Sequence, residues 1–146
     1  MTGPDALLPA GKLPHDILQR LLTRHAGGDD PRLLVGPGLG EDAAVIDFGD
    51  TCLVAKTDPI TFATDRIGWY AVHVNANDIA AMGATPRWFL PCVVVPEQLA
   101  TEALFDDILG QIREACASLG ITVAGGHTEI SYGMDRPLVV GQMLGE

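Results

Sequence analysis

The amino-acid sequence predicts one domain in which α-helices and β-strands are mixed. Three segments repeat apolar residues at helical spacing, and short apolar runs between them are bounded by glycine, proline and aspartate, as strands commonly are. The glycine-rich loop over residues 36–40 narrows the class further. Its glycines are spaced G-x-G-x-G and lead into a strand, whereas the Rossmann fingerprint is spaced G-x-G-x-x-G and follows a strand. We therefore exclude a Rossmann fold.

The composition is typical of a globular protein with its own core. The chain has 146 residues, of which 47% are hydrophobic, and this share is too high for a disordered chain. Nine basic and nineteen acidic residues give a formal net charge of −10 at pH 7. Because a phosphate backbone attracts clustered lysine and arginine, this charge argues against a nucleic-acid partner.

Targeting patterns and cysteines predict a reducing, cytoplasmic setting. Residues 1–11 lack the basic flank and apolar run of a secretory signal, and no segment approaches the ~20 apolar residues of a membrane span. We therefore expect no membrane partner. Cys52, Cys92 and Cys116 are odd in number and show no CxxC spacing, which favours buried free thiols over disulfides or a zinc site.

The N-terminal part is predicted to be a tail over residues 1–13, followed by a single domain over residues 14–146. Pro14 suits the first position of a helix that ends at Gly27. The helix repeats apolar residues on one face: Ile17, Leu18, Leu21 and Leu22. We expect this face to pack on the body of the domain.

The middle of the chain predicts two strands and a helix. Residues 43–48 and 52–56 are apolar runs joined at Gly49 and Asp50, which are common turn residues. A helical stripe then extends from about residue 66 to residue 82.

The last part of the chain predicts alternating strands and a long helix. Residues 88–95 form an apolar strand, in which Pro91 indicates an edge position or a bulge. Thr101 is the expected N-cap of a helix that ends at Gly120. Two further strands are predicted, at residues 121–124 and 137–144.

The first candidate site is the glycine loop with its acidic neighbours. Gly38 and Gly40 leave the backbone unobstructed beside Glu41 and Asp42, so the loop could wrap a phosphate chain whose metal Asp42 holds. A glycine-rich turn with a solvated pair of acids is the structural alternative.

The second candidate lies at the end of a strand. Asp58 precedes Pro59, which restrains it to an extended backbone and favours projection from the end of the sheet. Lys56 lies two residues earlier and points to the same strand face, where it could contact phosphate. An Asp-Pro turn and an ordinary ion pair are the alternatives.

The third candidate is an acid on the apolar stripe of a helix. Asp78 follows Val74 and precedes Met82 by four residues each, and Asn75 lies beside it. A carboxylate on that face needs donors or a cation. A hydrogen-bonded structural acid is the alternative to a functional one.

The fourth candidate follows the double glycine. Gly125 and Gly126 precede His127 and Thr128, which could bind metal or phosphate, although a histidine in a turn is commonly structural.

These motifs, in this order, resemble one known family. The phrases Gly-Leu-Gly-Glu-Asp-Ala-Ala-Val, Thr-Asp-Pro, Val-Asn-Ala-Asn-Asp-Ile-Ala-Ala-Met-Gly-Ala-Thr-Pro and Gly-Gly-His-Thr-Glu look like the N-terminal domain of the aminoimidazole ribonucleotide (AIR) synthase superfamily. That superfamily includes thiamine-monophosphate kinase, selenophosphate synthetase and the hydrogenase maturation protein HypE. The resemblance covers residues 14–144, and the Gly-Glu-Asp-Ala-Ala-Val-Ile phrase is nearer to HypE and its relatives.

The resemblance implies a fold, cofactors and a partner. It implies an α+β domain whose four-stranded mixed or antiparallel sheet is backed by helices on one face and pairs with a second copy into a barrel-like homodimer. ATP would lie in the groove between subunits, with Mg²⁺ on its phosphates bound by Asp42, Asp58 and Asp78. The candidate nucleotide-binding residues are then Gly38, Gly40, Glu41, Lys56, Asn75, Gly125, Gly126, His127 and Thr128.

The resemblance implies a function: ATP-driven phosphorylation or activation of an oxygen of a small-molecule or protein-tail acceptor. The sequence departs from the family in two respects that bear on this function. His127 stands where several branches have Asp, and a neutral imidazole does not replace a carboxylate charge. Family enzymes also have a C-terminal domain of similar size that contributes to the substrate pocket. A nucleotide-binding or dimerisation module without turnover, a metal-dependent hydrolase and the ATP domain of a thiamine-phosphate kinase or selenophosphate synthetase stay open as alternatives.

Overall fold

A computed structural model describes residues 7–63 and 65–146 of the chain. The predicted tail over residues 1–13 therefore falls partly outside the described residues. Within these ranges the helices and strands are α1 His15–His25, β1 Leu33–Val35, β2 Ala44–Asp47, β3 Cys52–Ile60, α2 Ile67–Ala81, β4 Pro86–Pro96, α3 Glu102–Leu119, β5 Thr122–Val123, β6 His127–Ser131 and β7 Leu138–Gly145.

The strands form one mixed sheet with the order β1-β2-β3-β7-β4-β5, and β6 also pairs with β4. The pairs β1–β2, β2–β3, β3–β7 and β7–β4 are antiparallel, whereas β5 and β6 run parallel to β4. Because β4 is eleven residues long, its outer edge accommodates β5 at Trp88 and Phe89 and then β6 from Cys92 to Pro96.

The predicted α+β class is confirmed, but the four-stranded sheet is wrong. The described residues form a seven-stranded open sheet, because short strands add to both edges: β1 has three residues, and β5 has two. The sequence does not predict β6 as a strand, because most of its residues are polar. In the structure, four of its five residues are exposed. Such a segment lacks the apolar alternation that identifies a strand in a sequence.

Pro91 does not mark an edge strand or a bulge, as its residue type suggested. β4 lies inside the sheet, with β7 on one side and both β5 and β6 on the other. Pro91 pairs with Gly141 on one side and falls between the last residue paired with β5 and the first paired with β6 on the other. A proline is tolerated here because no partner strand requires its missing N–H.

α2 covers one face of the sheet and builds the core. It packs against β3, β4 and β7, and α3 packs against α2. The largest fully buried side chains include Ile67 and Ile79 of α2, Ile108 and Ile112 of α3, and Phe89 and Met143 of the sheet. The opposite face of the sheet is only partly buried, since Trp88 retains 38% of its accessible surface there.

The expected packing of α1 on the body is wrong for the described residues. α1 has no buried residue, and Leu21 on its apolar face is 37% exposed. An exposed segment over residues 27–32 separates α1 from the sheet, so helical amphipathicity alone does not bring this face to the core. No helix in the described ranges combines the length and the hydropathy that crossing a membrane requires.

Candidate functional site

Three of the predicted site residues converge where α2 crosses β3. The ammonium Nζ of Lys56 lies 2.8 Å from Asp78 Oδ2 and 3.4 Å from Asp58 Oδ2. Lys56 and Asp58 are two residues apart on β3 and therefore share one face of the sheet, and α2 lies on that face. Residues 22 positions apart in the sequence thus meet at a single ammonium group.

The charges of this cluster are partly shielded from water. The exposed fractions of the side chains are 14% for Lys56, 28% for Asp58 and 23% for Asp78. Burial by itself lowers the pKa of Lys56, but the hydrogen bond and charge of Asp78, and then those of Asp58, outweigh burial and raise this pKa. Lys56 is therefore a cation at neutral pH, and two carboxylates against one ammonium leave the cluster with an excess of negative charge.

Asn75 supports the cluster from within the core. Its side chain is fully buried, and Nδ2 donates hydrogen bonds to the main-chain carbonyls of Ala71 at 2.8 Å and Asp58 at 3.3 Å. Exchanging the amide N and O would place an oxygen against two carbonyl oxygens, so these bonds fix the orientation. Oδ1 of Asn75 is consequently a buried acceptor that has no hydrogen-bond partner among the described residues.

The glycine loop approaches the cluster from the neighbouring strand. Ala44 pairs with Ala55 across β2 and β3, so the segment just before β2 leaves the sheet beside Lys56. Asp42 in this segment is exposed, as are Gly40 and Glu41. The described residues contain no group of three His, Cys, Asp or Glu side chains positioned to hold a metal ion, so the structure does not join Asp42 to Asp58 and Asp78.

The double glycine lies in the same row of the sheet as the cluster. Asp58 pairs with Gly141, Gly141 pairs with Pro91, and the next residue, Cys92, pairs with His127. With neighbouring strands ~4.8 Å apart, three strand spacings place the double glycine about 14 Å from Asp58 across the sheet.

A small cavity adjoins the double glycine. It has a volume of about 230 Å³, and its lining includes Gly125, Gly126, His127 and Thr128. His127 Nε2 lies 3.4 Å from Glu129 Oε2, and both side chains are more than half exposed.

A comparison with protein families decides which family this arrangement represents. The model of the AIR synthase related protein N-terminal domain matches residues 40–146. The chain belongs to this family. The matched range contains all three predicted metal ligands, the double glycine and the Asn75–Asp78 block, so the resemblance inferred from the motifs is confirmed.

Two named enzymes are similar in sequence to this AIR synthase-related domain. The chain is 36% identical over 122 residues to selenide, water dikinase of Rhizobium meliloti, which covers 80% of this chain and 35% of that protein. It is 28% identical over 137 residues to thiamine-monophosphate kinase of Archaeoglobus fulgidus, covering 88% of this chain and 43% of that protein. Less than half the length of either relative is therefore represented here.

A solved structure supports the same fold. The crystal structure of the hydrogenase maturation protein HypE in complex with ATP superimposes with a TM-score of 0.59 at 26% identity. The match covers 94% of this chain and 41% of the HypE chain.

The AIR synthase-related domain also contains site features that the sequence reasoning missed. Asp58 contributes to the lining of a groove of about 550 Å³, together with Lys12 from the segment before α1, Phe62 after β3 and Tyr70 of α2. No residue pattern announces this groove, because its walls come from three separate parts of the chain.

Gly141 is a missed residue for which a signal existed. A Cβ at Gly141 would overlap the amide of Asn75 and the ring of Phe89. An isolated glycine inside an apolar strand indicates a close approach of another chain segment, and this is what Gly141 permits.

Proposed function

We propose that this domain is the ATP- and Mg²⁺-binding part of an enzyme that uses ATP to phosphorylate or activate an oxygen of an acceptor. The observation that carries the proposal is the convergence of Asp58 and Asp78, from a strand and a helix, on the face of the sheet beside the glycine loop. Membership of the AIR synthase related family supports the choice of nucleotide.

The residues present fit a hard divalent cation. Asp58 and Asp78 supply carboxylate oxygens, which Mg²⁺ prefers, and these two carboxylates have only one ammonium group as a charge partner. Asn75 adds a buried amide oxygen without a partner among the described residues. Asp42 remains a predicted third ligand, because its loop leaves the sheet beside the cluster.

The chain's own residues would then bind and orient the triphosphate. Backbone amides of Gly38 and Gly40, together with Glu41, would surround its phosphates from one side, and Gly125, Gly126, His127 and Thr128 from the other. When bound, Mg²⁺ would supply positive charge that offsets the charge of the phosphate oxygens during transfer. Asn75 would hold the main chain of Asp58 in place through its hydrogen bond to the Asp58 carbonyl, so the contribution of this domain is mainly positioning and charge.

We also propose that a second copy of the domain covers the helix-free face of the sheet. Trp88 on that face is 38% exposed, and Leu90, Val140 and Leu144 are only partly buried. An apolar sheet face of this kind is stabilised by burial against another protein surface. Size-exclusion chromatography with light scattering measures the oligomeric state. Trp88→Glu should shift the protein from dimer towards monomer.

We place the binding site for the acceptor in parts of the relatives that this chain does not cover. Thiamine-monophosphate kinase and selenide, water dikinase are both similar to the chain and differ in their named acceptors. An ATP-binding module without turnover is therefore the alternative, and ATP hydrolysis by the purified domain, measured as released phosphate, separates the two.

Calorimetric titration with AMPPCP tests binding. We expect a signal with Mg²⁺ that EDTA removes, and at least a tenfold loss of affinity in Asp58→Asn and in Asp78→Asn. Asp50→Asn is the matched control, since Asp50 lies in the turn before β3, and the six extended steps from Cys52 to Asp58 alone span about 20 Å. Wild-type affinity in both site variants would overturn the assignment.

A further inference from the structure

Lys56 stands where a divalent cation held by Asp58 and Asp78 would have to stand. Its Nζ contacts Oδ2 of both carboxylates, at 2.8 Å from Asp78 and 3.4 Å from Asp58. Mg²⁺ binds carboxylate oxygens at about 2.1 Å. An ion on the same two oxygens would lie within a few ångströms of the ammonium charge, and two cations at that separation repel each other strongly in a partly buried site.

We propose that Lys56 is a built-in competitor of the metal, and that it couples metal binding to nucleotide binding. This inference rests on the proposed function, since it assumes that Asp58 and Asp78 hold the cation. Binding of a metal alone must displace the ammonium from both carboxylates. A phosphate group offers the displaced ammonium a new anionic partner, so nucleotide lowers the free-energy cost of the exchange.

The surroundings of Lys56 favour exchange over a fixed structural ion pair. The side chain retains 14% of its accessible surface and its four-carbon stem is flexible, so the ammonium can leave without disrupting the core. Asp58 and Asp78 are each held to the fold by other means, Asp58 by the β3–β7 ladder and by Asn75, and Asp78 by α2. The carboxylates would therefore stay close together after Lys56 has moved.

The coupling has a direct consequence for affinity. Without nucleotide, the domain should bind divalent cations weakly, because the ammonium already neutralises one of the two carboxylates. With nucleotide, metal affinity should rise, and by reciprocity the metal should raise nucleotide affinity by the same factor.

Manganese binding, followed by electron paramagnetic resonance of free Mn²⁺, tests the proposal without an activity assay. Lys56→Gln should bind Mn²⁺ alone at least tenfold more tightly than wild type, and AMPPCP should enhance that binding less than it does in wild type. Arg32→Gln is the matched control, since it removes one positive charge from an exposed surface pair with Asp30. Lys56→Arg retains a cation and should stay close to wild type.

Chemical labelling supplies a test that needs no substitution at Lys56. Acetic anhydride modifies free amines, and mass spectrometry of the Lys56 peptide measures the modified fraction. Mg²⁺ should raise this fraction in wild type, because metal releases the ammonium from its carboxylates. It should have no effect in the Asp58→Asn, Asp78→Asn double variant.

The outcomes separate the two proposals. If the double Asn variant binds Mn²⁺ as wild type does, the metal site itself is misassigned, and both proposals fail. If the double variant loses Mn²⁺ but Lys56→Gln binds no tighter, only the competition by Lys56 is overturned. Unchanged Lys56 labelling in saturating Mg²⁺ would overturn it independently.

Discussion

Gly141 of β7 lies directly against the side-chain amide of Asn75 on α2. The contact is so close that a Cβ at position 141 would overlap Nδ2 and the amide carbon of Asn75. Gly141 also pairs with Asp58 on the neighbouring strand. The absence of a side chain at one position of β7 thus allows an amide from α2 to reach the main chain of β3.

Gly141→Ala should destabilise the protein, because the methyl group displaces Asn75 and Phe89 from a closely packed site. We expect a loss of about 1–3 kcal/mol in the free energy of unfolding, the usual cost of overpacking, measured by urea denaturation.

Gly110→Ala is the control for this substitution. Gly110 lies inside α3, and nothing lies within 4 Å of an added Cβ there. Alanine should increase stability by about 0.5–1 kcal/mol through helix propensity. Equal effects of the two substitutions would contradict the close contact at Gly141.

Asn75→Ala should lower the free energy of unfolding by about 1–3 kcal/mol, since the buried carbonyls of Ala71 and Asp58 lose their shared donor. Asn75→Asp should be worse at pH 7, because an ionised carboxylate would face the same two carbonyl oxygens.

The difference between these two variants should depend on pH. Burial without donors raises the carboxyl pKa of the Asp variant in the folded state, so its destabilisation is present above the unfolded pKa and is relieved as pH falls. Urea titrations at pH 7 and pH 5 measure this, and a gap between the two variants that widens at pH 5 would contradict the geometry.

Cys116 should make stability decrease in alkaline solution. Burial raises the pKa of its thiol from 9.0 to about 11. Between these values the unfolded chain loses the proton while the folded chain keeps it, so unfolding becomes more favourable as pH rises.

Cys116→Ala removes this contribution. Its stability should decrease less steeply than that of wild type between pH 9 and pH 11 in urea titrations. Cys52→Ala, at a partly buried free thiol of β3, is the comparison. An unchanged slope in Cys116→Ala would contradict the prediction.

Thr101 should stabilise α3 through its N-cap hydrogen bond. Its hydroxyl oxygen accepts a bond from the amide of Leu104 at 3.2 Å. Thr101→Ala should cost about 1 kcal/mol of unfolding free energy, whereas Thr101→Ser keeps the acceptor and should cost much less. Thermal denaturation followed by circular dichroism distinguishes the two, and equal melting temperatures would contradict a capping role.

The long elements could be predicted from the sequence, because periodicity and end signals agree there. α3 begins after Thr101 and ends before Gly120 as expected, and α2 occupies Ile67–Ala81 within the predicted range. The cap bond at Thr101 and the left-handed backbone of Gly120 are both local effects, which a sequence states directly.

The parts that could not be predicted depend on contacts distant in the sequence. β6 is polar and is a strand only because β4 offers it an edge. For Lys56 the sequence predicts a phosphate contact or an ion pair, and the structure shows an ion pair; the position of the ammonium between two carboxylates follows from the crossing of α2 over β3 and is not predictable from local sequence. The prediction of buried free thiols is confirmed only in part: all three cysteines are free, but only Cys116 is buried.

Because α1 is only loosely attached, the region before the sheet contributes to the groove without contributing buried residues to the core. No described residue before Ala43 is buried, yet Lys12 from this early region lines the groove beside Asp58. Substitutions among residues 7–32, which precede the glycine loop, can change one wall of the groove while leaving the interior that drives folding intact. Substitutions in this segment should therefore change folding stability little, and the segment can diversify in evolution faster than the sheet it borders.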